Sequence, residues 1–190
     1  VTGSINVGDS DGTHIIRFEG DVRVGLCNAF DNYCQGMLED SKFCAVIVDL
    51  TATNVIDSTA LGSLAKLSLG VKALKGQVPT LICNSPNIQR ILQNMGFDDV
   101  FAIVPNVENS SVKLQSLPAL SDLAVDGTRE KVIEAHRVLM SMNDANKNCV
   151  QAVSRCAGIR GNRTAYLFRR LALQKALLKC ANQSALTKGL

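Results

Sequence analysis

The stretch Cys44-Ala45-Val46-Ile47-Val48-Asp49-Leu50, followed by Thr51-Ala52-Thr53-Asn54-Val55 and then Ile56-Asp57-Ser58-Thr59-Ala60-Leu61-Gly62, decides how this chain is read. Its first seven residues are apolar almost throughout, as a strand buried on both faces is. Over residues 58–75 the period becomes helical. Ala60, Leu61, Leu64, Leu67, Val71 and Leu74 fall on one side, and Gly62, Lys66, Leu69 and Gly70 on the other. The expectation is a buried strand, a loop over residues 51–56, and a helix that opens on a hydroxyl.

The flanking sequence extends this into a domain. Thr13-His14-Ile15-Ile16-Arg17-Phe18-Glu19-Gly20 is a β-branched run closed by glycine, and residues 4–7 can pair with it across the turn formers of residues 8–12. Leu26, Phe30, Tyr33 and Met37 recur at helical spacing. Pro79-Thr80-Leu81-Ile82-Cys83 is another short strand. Ser85-Pro86 opens a helix, with Ser85 at the N-cap and Pro86 in the first turn, and Gly96 stops it. Residues 100–104 form a last strand. The order β-β-α-β-α-β-α-β over residues 1–104 predicts an α/β domain: a small mixed sheet of about five strands with helices packed against it. Residues 105–127, with Pro105, Asn106, Asn109, Ser110, Ser111 and Pro118, read as a linker or arm. Residues 128–148 carry an amphipathic helix with Val132, Ile133, His136, Leu139 and Met142 on its apolar side.

Composition narrows the function classes. An apolar content of 46% supports a core, and with only 4% aromatics that core must be largely aliphatic. No apolar run approaches the roughly 20 residues of a membrane span, and no basic-then-apolar leader is seen, so a soluble cytoplasmic protein is expected. The seven cysteines form no Cys-x-x-Cys pair and the chain has two histidines, so no metal site is expected and the thiols read as buried, reduced and apolar in behaviour. His14 and His136 are far apart, no second base is placed beside Ser58, and no phosphate-binding glycine loop occurs. The chain is therefore read as having no catalytic residues, no cofactor and no enzymatic activity. All 17 acidic residues precede residue 145, and only basic charges follow. The basic tail, residues 149–190, scatters its charges around a helical wheel, so a membrane or nucleic-acid partner is not expected. It reads either as an out-of-frame or recently added end without a folded role, or as a basic binding segment.

A hydroxyl at a helix start has several uses. Unpaired amides and the positive helix end stabilise negative charge there. Ser58 can serve simply as an N-cap, or can carry a phosphate that its own helix tolerates and a docked partner does not. The segment Val46-Ile47-Val48-Asp49-Leu50 with Ile56-Asp57-Ser58-Thr59-Ala60-Leu61-Gly62, together with Phe18-Glu19-Gly20-Asp21 and the Ser85-Pro86 helix start before Ile91-Leu92, resembles the STAS domains of anti-sigma-factor antagonists. The resemblance covers residues 1–104. It implies that Ser58 is phosphorylated by an anti-sigma factor that is a serine kinase, and dephosphorylated by a metal-dependent serine phosphatase. The unphosphorylated antagonist binds the anti-sigma factor and frees the sigma factor. It places Asp57 and Thr59 as the frame of Ser58, Gly62 as the point of close partner approach, and Asp21 on the loop side where partners dock, a position that a simple turn residue fills equally well. Lys66 and Leu69, on the exposed side of the helix, read either as partner contacts or as an ordinary solvated face. Thr59 and Ala60 depart from the family's usual Ser and Gly, and Thr59 is a second possible acceptor. STAS domains also serve as constitutive subunits of lipid-transport ATP-binding-cassette complexes, and in that role Ser58 is only a cap.

Overall fold

In the computed structural model the described residues are 3–106, 112–118, 125–144 and 146–147; the basic tail lies outside them. Six strands form one sheet in the order β5-β4-β3-β2-β1-β6. Strands β1 (Ser4–Ser10) and β2 (Thr13–Val22) form an antiparallel hairpin. Its turn is Asp11-Gly12, both at positive φ, the backbone that a two-residue turn between right-twisted strands requires. Gly12 is also bare because Lys42's carbonyl lies where a Cβ would project. Strands β3 (Ala45–Ile56), β4 (Thr80–Ile82) and β5 (Ala102–Val104) extend the sheet in parallel from β2. Burial along β2 alternates with period two, which puts Ile16, Phe18 and Val22 in the core.

Two sequence expectations are corrected here. Residues 51–56 are not a loop. They continue β3 to Ile56, pairing with residues 19–22 of β2 through two register shifts. Thr51, Thr53, Val55 and Ile56 are β-branched and suit a strand, and Thr53 donates its hydroxyl to the Phe18 carbonyl at 3.0 Å. The strand thus delivers the chain directly to Asp57. The supposed linker is also partly a strand. β6 (Gln115–Ser116) pairs antiparallel with β1 and makes a sixth strand.

The helices are α1 (Val24–Glu39), α2 (Ser58–Lys75), α3 (Pro86–Asn94) and α4 (Val125–Met142). Ser85 sits at the N-cap of α3 as expected, but its side chain makes no capping bond. Gly76 ends α2 in the left-handed conformation, donating its N–H to the Lys72 carbonyl. The core joins Ile5, Ile16, Phe18 and Val48 of the sheet to Phe30 of α1, Leu61 and Leu64 of α2, and Leu139 of α4. Helix α4 begins three residues before the expected start. It lies against α2 and α1, burying Val132, Ala135 and Leu139; of the apolar side read from sequence only Ile133 is exposed. With α4 in place the first half of α2 is buried nearly all round, Gly62 and Ser63 included, whereas Leu74 is 53% exposed. The two-sided helix expected from periodicity is thus found with two departures, buried Gly62 and exposed Leu74, while Lys66 and Leu69 lie on the exposed side as expected. Cys27, Cys34 and Cys83 are buried free thiols, but Cys44 is exposed, which departs from the uniform burial expected.

Candidate functional site

The site is built where β2, β3, α1 and α2 meet. β3 ends at Ile56, and Asp57 takes the extended cap position ahead of α2. Its Oδ1 accepts from the N–H groups of Thr59 (3.0 Å) and Ala60 (2.9 Å), and its Oδ2 accepts from the Val24 N–H that opens α1 (3.0 Å). Its own N–H donates to the Val22 carbonyl at the end of β2. One carboxylate thus caps two helices and fixes their starts to the sheet. This moves the cap by one residue from the alternative that gave it to Ser58. Ser58 is the first residue of α2, and Asp57 does the capping.

The Ser58 hydroxyl is therefore free of capping duty, and it makes a contact the sequence reading missed. Its Oγ lies 3.0 Å from Nε2 of His136 on α4. The signal was present in the sequence: His136 had been placed on the apolar side of an amphipathic helix. What was missing was the docking of that helix, 78 residues on, over the start of α2. Burial lowers the His136 pKa from its ordinary value, and the Asp57 carboxylate partly opposes this. The docked imidazole is accordingly held toward its neutral form. A Ser Oγ beside an imidazole and near a carboxylate has the components of an activated nucleophile. However, Ser58 is 5% exposed under α4, and the Asp57 oxygens are bonded to backbone amides, so in this arrangement the group is a packed contact. Among the described residues no cluster of His, Cys, Asp and Glu has the form of a metal site.

The other singled-out residues divide between two places. Thr59 is 1% exposed and faces the interior. Gly62 lies under α4: a Cβ there would stand 2.5 Å from Cα of Ala135 and 2.6 Å from its carbonyl oxygen. Lys66 reaches Glu134 at 2.5 Å, and Lys131 pairs with Asp31 of α1. The Lys66 ammonium holds the Glu134 carboxyl below its usual range, chiefly through that hydrogen bond. Leu69 is 40% exposed, further along α2. Asp21 is half-buried at the end of β2 and pairs with Arg23 at 3.1 Å. Asp57, Ser58, Thr59, Gly62 and Lys66 are thus brought together at the start of α2, and all but Asp57 and Thr59 meet α4.

This strand-to-helix junction, in a sheet with three parallel strand pairs, agrees with the comparison of families. Residues 4–110 match the STAS domain family. The chain belongs to the STAS family. The sequence matches no curated protein. The STAS match ends at residue 110, so the STAS domain supplies Ser58, Gly62 and Lys66, and His136, Ala135 and Glu134 come from a helix beyond it. No helix among the described residues is long and apolar enough to cross a membrane.

Proposed function

We infer that this STAS protein is an anti-sigma-factor antagonist that acts by partner switching. It binds an anti-sigma factor with serine kinase activity while Ser58 is unphosphorylated and is released once Ser58 carries phosphate. A metal-dependent serine phosphatase resets it. The chain's role is binding, with no reaction of its own. The observation that carries this reading is the position of Ser58: the first residue of α2, directly after a carboxylate cap that spares its hydroxyl from capping. A phosphate there adds about −1.5 to −2 charges beside Asp57, at the packed start of α2.

One observation favours a second reading, a constitutive STAS subunit of a lipid-transport ATPase with no phospho-switch. Ser58 is buried and its hydroxyl is already bonded to His136. The two readings separate in one experiment. The chain is incubated with a purified serine kinase of the anti-sigma-factor type and the phosphosite is mapped, and the Ser58→Ala and Ser58→Asp chains are used as bait. Partner switching gives phosphate on Ser58, retention by Ser58→Ala and release by Ser58→Asp. Equal retention by both variants, or capture of an ATPase instead of a kinase, leaves the constitutive subunit.

A further inference from the structure

The surface around Ser58 already has a helix on it. We propose that the α1–α2 face is a helix-docking surface, that α4 is its resident occupant, and that an external partner gains the face by replacing α4 with a helix of the same chemistry. This rests on the reading of the start of α2 as the partner surface, and extends it to the form of the partner and to the state of the free chain.

Three observations support it. First, α4 lies outside the STAS match, yet covers the residues at the start of α2. Second, the fit is that of one helix backbone on another. A Cβ on Gly62 would overlap the Cβ, Cα and carbonyl oxygen of Ala135, so only a helix with a small residue at that point approaches this closely. Third, the polar ties have a defined pattern. Lys131 answers Asp31 of α1, Glu134 answers Lys66 of α2, Ala135 sits on Gly62, His136 meets Ser58, and Leu139 enters the core. A base, an acid three residues on, a small residue next to it and an apolar residue four further on form one stripe of a helix. A partner helix that competes carries that stripe. While α4 holds the face, Ser58 is 5% exposed and out of reach of a kinase. The free chain is therefore self-inhibited.

The test uses the full chain and a fluorescent peptide of residues 125–144. In Ala135→Leu the larger side chain meets Gly62 and lifts α4, while leucine keeps the helix propensity. Hydrogen exchange of the amides of residues 129–142 should rise at least tenfold in this variant, with β2 and β3 unchanged. The peptide should bind the Ala135→Leu chain at least tenfold more tightly than the wild-type chain, whose face is occupied. Adding Gly62→Leu to the Ala135→Leu chain should abolish that binding. Equal peptide binding by wild type and Ala135→Leu, or by neither, overturns the proposal. So does loss of protection in β2 and β3, because α4 would then be an inseparable part of the core. None of these readouts uses phosphate. If the peptide behaves as expected while Ser58→Ala and Ser58→Asp capture partners alike, the switch reading fails and the docking surface stands.

Discussion

At Asp57 one side chain holds three structural elements. It satisfies two amides at the start of α2 and one at the start of α1. Removing it leaves buried donors unpaired, which costs more than an ordinary surface cap. Asp57→Ala should lower stability by about 2–4 kcal/mol, read by urea unfolding. Asp57→Asn, which keeps one acceptor oxygen, should lose less than half of that. His136 gives a pH dependence. Its pKa is lowered from 6.5 when α4 is docked, by burial against the opposing pull of Asp57, so the undocked helix binds the proton more readily. Docking is then strongest above pH 6.5 and weakens as pH falls below it. Glu134, held below 4.5, keeps its charge through this window. Exchange of α4 amides, corrected for the intrinsic rate, should increase between pH 7.5 and pH 5.5. That increase should vanish in His136→Gln, and its persistence there would assign the effect to another group.

At the scale of elements, α4 is held by contacts of unequal worth. Lys66 and Glu134 are each nearly half exposed, and such a pair contributes about 0–1 kcal/mol. Lys131 and Asp31 are far better shielded, and removing Lys131 leaves the Asp31 carboxylate only the more distant Lys66 ammonium at 3.9 Å. Lys131→Met should therefore free α4, with its amides exchanging at least tenfold faster, whereas Glu134→Gln should change exchange less than about fivefold, consistent with 1 kcal/mol or less. A similar effect from both would show that burial of the Asp31 pair is unimportant. Strand β3 shows the opposite behaviour, since its extension to Ile56 rests on main-chain pairing with β2 and the Thr53 hydroxyl bond, not on α4.

At the scale of the molecule, the described residues form a STAS domain with a helix laid over its α1–α2 face. Its sheet core and its α4 contact should differ in energetic depth. Phe18 is 1% exposed and packs against Phe30 with ring centroids 5.3 Å apart, so Phe18→Ala should cost about 3–5 kcal/mol and lower the midpoint of global unfolding. Leu139 is equally buried, but on α4. If α4 can leave the face while the sheet stays folded, Leu139→Ala should accelerate exchange in α4 and leave the protection of β2 and β3 unchanged. A Leu139→Ala chain that loses sheet protection to the same degree would show a single cooperative unit.

Much of the domain was legible in residues alone, because strands and helices advertise themselves through local period. Ile16, Phe18, Val46 and Val48 announce a buried sheet. Ser85-Pro86 and Gly96 bracket α3, and the Asp57-Ser58 step marks the start of α2. Less legible were features that depend on pairing. The span 51–56 is polar enough to read as a loop and becomes strand only because residues 19–22 lie beside it, and Gln115–Ser116 becomes strand only at the free edge of β1. The choice of cap was local but ambiguous, since Asp and Ser are both good caps and only the turn of the backbone selects Asp57. The sequence by itself determined that Ser58 would stand at the positive end of a helix in a STAS sheet. Only the tertiary structure decided that His136, Ala135 and Glu134 lie over Ser58, Gly62 and Lys66. No periodicity carries that information, because it depends on where a helix beyond the domain comes to rest.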